Sequence, residues 1–130
     1  MNEVTVVLLG NPNTGKSALF NALSGLNQKV GHYPGVTVDK KQGRRRFRET
    51  AFTLIDLPGT YSLSTQSPDE QVAVNEILGR EGEVPDAVVV VVDANAIERA
   101  LYLVLQIAET GVPVVAVSYA HLTLPTNREV

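Results

Sequence analysis

The octapeptide Gly10-Asn11-Pro12-Asn13-Thr14-Gly15-Lys16-Ser17 matches the pattern G-x-x-x-x-G-K-S/T, and its flanks constrain the fold more than any other feature of the chain. Before it, Val4 to Leu9 is short, apolar and rich in β-branched residues. That is the composition of a strand buried on both faces of a parallel sheet. After it, Lys16 to Leu23 has helical spacing, with Ala18, Leu19, Ala22 and Leu23 on one stripe and Ser24-Gly25 as a stop. A strand, a glycine-rich turn and a helix in that order wrap backbone N–H groups around phosphate oxygens at the positive end of the helix. Gly10 and Gly15 allow the tight path, Lys16 reaches β- and γ-phosphates, and the Ser17 hydroxyl binds Mg²⁺. A chance glycine-rich turn is the bland alternative, and the Lys-Ser register with correct flanks weighs against it.

The rest of the chain keeps the same rhythm. Val36 to Phe47 alternates as a solvent-flanked strand, Arg48-Glu49-Thr50 reads as a hairpin turn, and Ala51 to Leu57 as the returning strand. A helix opens at Ser67 or Pro68 and stops at Gly79, with Asp69 and Glu70 suiting its first turn. Ala87 to Val92 is a central buried strand. Ala96 to Glu109 is an amphipathic helix with Ile97, Leu101, Val104, Leu105 and Ala108 on its apolar side, and Val112 to Val117 is a fifth strand. The order predicts an α/β, doubly wound P-loop sheet.

Asp56-Leu57-Pro58-Gly59 supplies a D-x-x-G at a strand end, some forty residues after the phosphate loop. A carboxylate there stands at the carboxyl edge of the sheet, where ligands bind in such folds. Asp56 can hold Mg²⁺ through water, and the Gly59 N–H can report a γ-phosphate. Thr37, in the loop between, is either a mobile threonine that closes on Mg²⁺ and phosphate or a β-branched residue opening a strand. Position alone does not choose.

Composition excludes other classes. Apolar residues make up 44% and charged residues 19% of 130 residues, as in a globular domain rather than a disordered tail. The absence of Cys removes disulfides and zinc-thiolate sites, and two His make a His-rich centre untenable. Eleven basic against fourteen acidic residues, a net charge of −3, argue against nucleic acid as the partner. No apolar run approaches the ~20 residues of a bilayer span. Met1-Asn2-Glu3 lacks a basic signal-peptide region, so the chain as written is expected to be soluble and intracellular.

Three strings resemble the N-terminal G domain of the bacterial ferrous iron transport protein B family: Asn13 with Lys16-Ser17, then Lys29 to Val38 (KVGHYPGVTV), then Asp56 to Leu63 (DLPGTYSL). Val92-Asp93-Ala94, Glu98 to Leu103 and Gly111 to Val115 extend the likeness across roughly Val4 to Val117. The resemblance implies a GTP- and GDP-binding domain that hydrolyses GTP and serves a membrane-embedded iron-transport domain at the cytoplasmic face of the inner membrane. It implies that the nucleotide is held by Gly10 to Ala18, by Gly35, Val36 and Thr37, and by Asp56, Leu57, Pro58 and Gly59. Lys16, Thr37 and Gly59 become the catalytic positions, and Ser17, Thr37 and Asp56 the Mg²⁺ ligands. Asn13 matches a potassium-holding asparagine, with backbone carbonyls near Gly31 and Tyr33 completing a K⁺ site. Thr60 stands where a water-positioning Gln is usual, so slow hydrolysis is expected.

The family pattern breaks after Val117. Where an N-K-x-D motif should read the guanine base, the chain has Ser118-Tyr119-Ala120-His121-Leu122, with Tyr119 at the Asn position and Leu122 at the Asp position. The sheet is therefore expected to be incomplete after its fifth strand. Residues 1–117 read as a partial G domain and 118–130 as a tail foreign to the family. Two alternatives stay beside this reading: a fragment that binds phosphate or nucleotide without catalysis, and the G domain of a related soluble ribosome- or tRNA-associated GTPase. The basic run Arg44 to Arg48 reads as a solvated edge strand. His32 reads as a lone exposed histidine, and Glu70, Glu76 and Asp86 as helix-surface or loop charges.

Overall fold

A computed structural model describes residues 2–11, 15–25, 28–33, 38–64, 66–80 and 82–119. The elements run β1 (Asn2–Gly10), α1 (Lys16–Ser24), β2 (Gln28–His32), β3 (Asp39–Phe47), β4 (Thr50–Asp56), α2 (Pro68–Ile77), β5 (Ala87–Asp93), α3 (Ile97–Glu109) and β6 (Val114–Tyr119). They form one six-stranded sheet in the order β2-β3-β4-β1-β5-β6. β4, β1, β5 and β6 are parallel, and β3 and β2 add an antiparallel wing. This is the expected α/β P-loop architecture.

Continuous apolar strands bury both faces. Val7 and Leu9 of β1 join Val88, Val90 and Val92 of β5 in the larger core, under Val72, Ala73 and Ile77 of α2 and Ala100, Leu103 and Ile107 of α3. Leu8 points the other way, into a smaller cluster with Phe20 of α1 and Leu54 of β4. Alternation along a strand thus splits the helices into layers, with α1 on one face and α2 and α3 on the other. α1 lies close enough over β3 that a Cβ on Gly43 would collide with Ser24.

Three expectations change in detail, and the edge-strand reading of the basic run holds for Arg44 to Phe47. Gln28–His32 is a strand with no strand pattern in its sequence, and Gly31 and His32 belong to it although Gly31 to Gly35 reads as a loop; its side chains are all exposed, so burial leaves no apolar signature there. The strand expected as the fifth is β6, and it runs past Val117 to Ser118 and Tyr119, which pair with Val92 and Asp93. β3 is not a sheet edge over its first half, because β2 covers residues 39–43. Arg44 to Phe47 extend beyond β2, have β4 on one side only, and are exposed. The helix faces are also rotated. α3 buries Ala100, Leu103 and Ile107, leaving Ile97, Leu101 and Leu105 exposed, and α1 buries Phe20 and Ser24 rather than Leu19 and Leu23. Both faces of α3 carry apolar residues, so spacing alone did not select the one that meets the sheet.

Candidate functional site

The site forms where β1 and β4 end side by side. Leu8 of β1 is in register with Asp56, the last residue of β4. Past those ends the chain is tied across: Leu57 N–H donates to the Leu8 carbonyl at 3.1 Å and Thr60 N–H to the Gly10 carbonyl at 2.9 Å. Gly15 enters α1 at φ 81, a left-handed conformation that favours glycine, and its carbonyl accepts from Leu19 N–H at 3.1 Å. Among the described residues no acidic residue occupies the first turn of α1 and no side chain caps it. The helix therefore brings no anion of its own to its positive end.

Lys16, the first helical residue, turns back over the strand ends and forms a buried ion pair with Asp56. Asn11, five residues before Lys16, is also buried, while Ser17 and Ala18 are exposed beside the helix start. Leu57 is in the core, and Pro58 and Gly59 are half-buried. Thr60 is turned inward. Its hydroxyl donates to the Ser62 carbonyl at 2.8 Å and accepts from Ser62 N–H at 3.3 Å.

β2 ends and β3 begins at the same end of the sheet. Lys41 is opposite Asp56, and two residues further out Asp39 faces His32 across the hairpin, with His32 Nδ1 3.5 Å from Asp39 Oδ1. Gly31 itself lies within β2, with β3 and β4 between it and β1. At ~4.8 Å per strand its backbone stands about 14 Å from β1. Tyr33 is buried in the larger core rather than lying at the surface, with Lys40 Nζ 5.5 Å from its ring centroid. Lys40 in turn approaches Glu76 of α2 at 3.8 Å. Pro12, Asn13, Thr14, Pro34, Gly35, Val36 and Thr37 lie outside the described residues.

Three carboxylates read as surface charges have structural work. Asp86 Oδ2 accepts from Thr5 N–H at 2.8 Å, and Asp86 N–H donates to the Thr5 carbonyl, zipping the entry of β5 to β1. Glu76 is buried against Lys40. Glu70 gathers the segment after Gly59: Oε2 accepts from the hydroxyls of Ser62 at 2.8 Å and Ser64 at 3.1 Å, and Oε1 from Gln66 N–H at 2.9 Å. These donors, the Ser62 hydroxyl first, hold its carboxyl below the usual carboxylate range against a smaller opposing effect of burial. The signal was present in the sequence, since Ser67-x-x-Glu70 is a capping-box pattern. Gln106 of α3, whose Oε1 accepts from Leu63 N–H at 2.8 Å, carried no such signal. Among the described residues no group of three or more His, Cys, Asp or Glu could hold a metal, and no helix is long and apolar enough to cross a membrane.

A family model described as ferrous iron transport protein B matches residues 4–121. The chain is 50% identical over 111 residues to the Fe(2+) transporter FeoB of Methanocaldococcus jannaschii, covering 85% of this chain and 16% of that protein. It is 48% identical over 117 residues to the Fe(2+) transporter FeoB of Escherichia coli K12, covering 87% and 15%. Among solved structures, the G domain of the T. maritima FeoB iron transporter aligns at a TM-score of 0.84 and 44% identity, covering 92% of this chain and 73% of that one. The cytosolic domain of L. pneumophila FeoB aligns at 0.78 and 46%, covering 87% and 44%. A GDP form of the T. maritima cytosolic domain aligns at 0.76 and 37%, covering 90% and 57%. The chain thus spans about a sixth of the length of these curated relatives.

Proposed function

The chain belongs to the ferrous iron transport protein B family as an N-terminal G domain, and on that footing we propose that it is the nucleotide switch of a longer Fe²⁺ transporter. In this reading it binds GTP and GDP with Mg²⁺, hydrolyses GTP slowly to GDP and phosphate, and so couples or regulates iron uptake. It works at the cytoplasmic face of the bacterial inner membrane, against a membrane-embedded transport domain. The ribosome- or tRNA-associated alternative, and the non-catalytic fragment, are not favoured by this family.

The observation that carries the reading is the buried Lys16–Asp56 pair at the mouth of the phosphate-loop motif. Two charges withdrawn from water cost several kcal/mol each in desolvation, roughly offset by their attraction. A polyphosphate with a divalent cation gives each a second partner: phosphate oxygens for Lys16 and the cation for Asp56. The donor set fits Mg²⁺, because the Ser17 and Thr37 hydroxyls and the Asp56 carboxylate are hard oxygen ligands. Mg²⁺, when bound, neutralises charge developing on the β- and γ-phosphate oxygens.

The chain's own groups do the rest. The backbone from Gly10 through Ala18 surrounds the phosphates with its N–H groups, Pro12 having none to give, and Gly35, Val36, Leu57 and Pro58 frame them. Lys16 orients the β- and γ-phosphates. Gly59 N–H donates to the γ-phosphate, and Thr37 closes over it. Asn13 is the proposed K⁺ ligand, joined by the carbonyls of Gly31 and Tyr33 only if the end of β2 moves toward β1; a K⁺ held there would act on transition-state charge as an arginine finger does. Thr60 supports slow turnover: it replaces the usual Gln, and its hydroxyl is engaged by Ser62.

Base recognition is the departure. Tyr119 and Leu122 occupy the Asn and Asp positions of N-K-x-D, which supports weak guanine selection and a reading of residues 118–130 as a tail of different origin from residues 1–117. A fluorescent GTP analogue titrated into the purified chain, with ATP as competitor, tests the whole reading. Saturable Mg²⁺-dependent binding is expected, with ATP competing within about tenfold, one hydrogen-bonding contact's worth of discrimination. Absence of binding overturns it.

A further inference from the structure

We propose that Glu70 is the positioning residue of the segment that follows Asp56-Leu57-Pro58-Gly59, and that its carboxylate sets the preference of the site between nucleoside triphosphate and diphosphate. The second half of this rests on the nucleotide-binding reading above; the first half does not.

The segment is held at three points. At its start, Thr60 N–H donates to the carbonyl of Gly10, the last residue of β1 and the first of the phosphate-loop motif. In its middle, Leu63 N–H donates to Gln106 of α3. At its end, a single side chain collects Ser62, Ser64 and Gln66 from the segment, and at 3.4 Å the hydroxyl of Ser67, the residue that caps α2. Glu70 N–H returns a bond to that same Ser67 hydroxyl at 3.2 Å. An ordinary capping box satisfies the helix end alone. Here the carboxylate also reaches back eight residues to Ser62, one residue past Tyr61 and two past Thr60. The segment 57–64 contributes only Leu57 as a fully buried apolar anchor, with Leu63 packed partly against the core. Its conformation therefore rests on polar bonds, and the Glu70 carboxylate accepts from four groups, those of Ser62, Ser64, Gln66 and Ser67.

The consequence for ligands follows from position. Gly59 precedes Thr60 directly, so any group that fixes Thr60 against Gly10 fixes the N–H that meets a γ-phosphate. A diphosphate has no group there and is indifferent to the latch. Loss of the latch therefore lowers affinity for the triphosphate selectively.

The acceptor chemistry supplies the controls. Gln66 N–H can only donate, so it requires an oxygen. The Ser62 and Ser64 hydroxyls can rotate and accept instead. Glu70→Gln can place its oxygen toward Gln66 and its amide toward the two serines, and is expected to preserve the latch. Glu70→Ala removes every bond. Asp69→Ala removes the same charge from the same helix turn without touching the segment.

The experiment is amide hydrogen exchange on the nucleotide-free chain, followed by titration with GDP and a non-hydrolysable GTP analogue in Mg²⁺. Glu70→Ala should accelerate exchange at Ser62 and Leu63, whose amides are bonded to Thr60 and Gln106 rather than to Glu70, by about tenfold, the effect of losing one net hydrogen bond. β1 and β5 amides should keep their rates. The triphosphate-to-diphosphate affinity ratio should fall by about the same factor, with GDP affinity within about twofold of wild type and Glu70→Gln close to wild type throughout. Acceleration confined to Gln66, equal acceleration in β1 and β5, or the same changes in Asp69→Ala would overturn the proposal. So would accelerated exchange with an unchanged affinity ratio. A wild-type chain that binds neither nucleotide overturns the nucleotide reading and with it the ligand preference, while exchange alone still decides whether Glu70 holds the segment.

Discussion

Lys16 and Asp56, forty residues apart in the chain, meet as a buried ion pair across the ends of two neighbouring parallel strands. Their meeting follows from topology: β1 and β4 are adjacent and in register from Asn2 to Leu8, so the loop that leaves one ends beside the carboxylate that ends the other. Neither charge is free to move without the other.

Removing one member should therefore act on both binding and stability. Lys16→Ala is expected to abolish nucleotide binding. It should also destabilise the fold by about 3–5 kcal/mol, the cost of leaving a buried charge alone. Lys16→Met with Asp56→Leu should recover most of that stability and none of the binding. Isothermal titration and chemical denaturation measure the two readouts. Affinity retained within about threefold, or roughly 0.7 kcal/mol, would show that the loop is not a phosphate cradle.

Monovalent cations test the role given to Asn13. GTP hydrolysis by an intact relative carrying these residues should be faster in K⁺ than in Na⁺, and Asn13→Ala should erase the difference. Equal initial rates in the two salts would remove the K⁺ site from the mechanism.

The rotated face of α3 predicts an inverted pair of substitutions. Leu103 is wholly buried, whereas Leu101 is 52% exposed. Leu103→Ala should cost about 2–5 kcal/mol as a cavity in the core. Leu101→Ala should stay near the ±0.5 kcal/mol typical of surface changes. Urea melts of the two variants with equal m-values compare them directly.

Acidification should loosen the Glu70 cluster. A carboxyl whose folded-state pKa lies below its usual value of 4.5 contributes stability that is present above that value and lost as pH falls through the folded pKa. Exchange at the Gln66 amide, corrected for intrinsic chemistry, should therefore hold steady from pH 6 to about pH 5 and accelerate below about pH 4.5. Glu70→Gln should flatten that profile. An identical acid response in wild type and variant would assign it to other carboxylates.

β6 predicts self-association. Among the described residues it is the last strand of the sheet, paired on one side by β5, and Val115 and Val117 are 53% and 38% exposed. An uncharged β-branched strand with an open edge is a template for pairing with another chain. Size-exclusion chromatography should show concentration-dependent oligomers, and Val115→Lys should reduce them. A monodisperse monomer melting above ~60 °C would show that the edge is protected.

Some of this protein was written locally. The glycine spacing, Lys16-Ser17, and unbroken runs such as Ala87 to Val92 declare a buried parallel sheet with a phosphate loop, because a strand wet on one face could not be apolar at every position. The D-x-x-G at a strand end was legible for the same reason. Other features depended on which surfaces meet. β2 has no buried side chain, so it owes its existence to pairing with β3 rather than to its own pattern. Both faces of α3 are apolar, and only packing against β5 chose Leu103 over Leu101. Glu70 reads as one more helix charge until the chain folds Ser62 and Ser64 back onto it. Periodicity reports what a segment can bury; which neighbour it buries against, and which distant donors converge on one carboxylate, is decided only when the strands take their order.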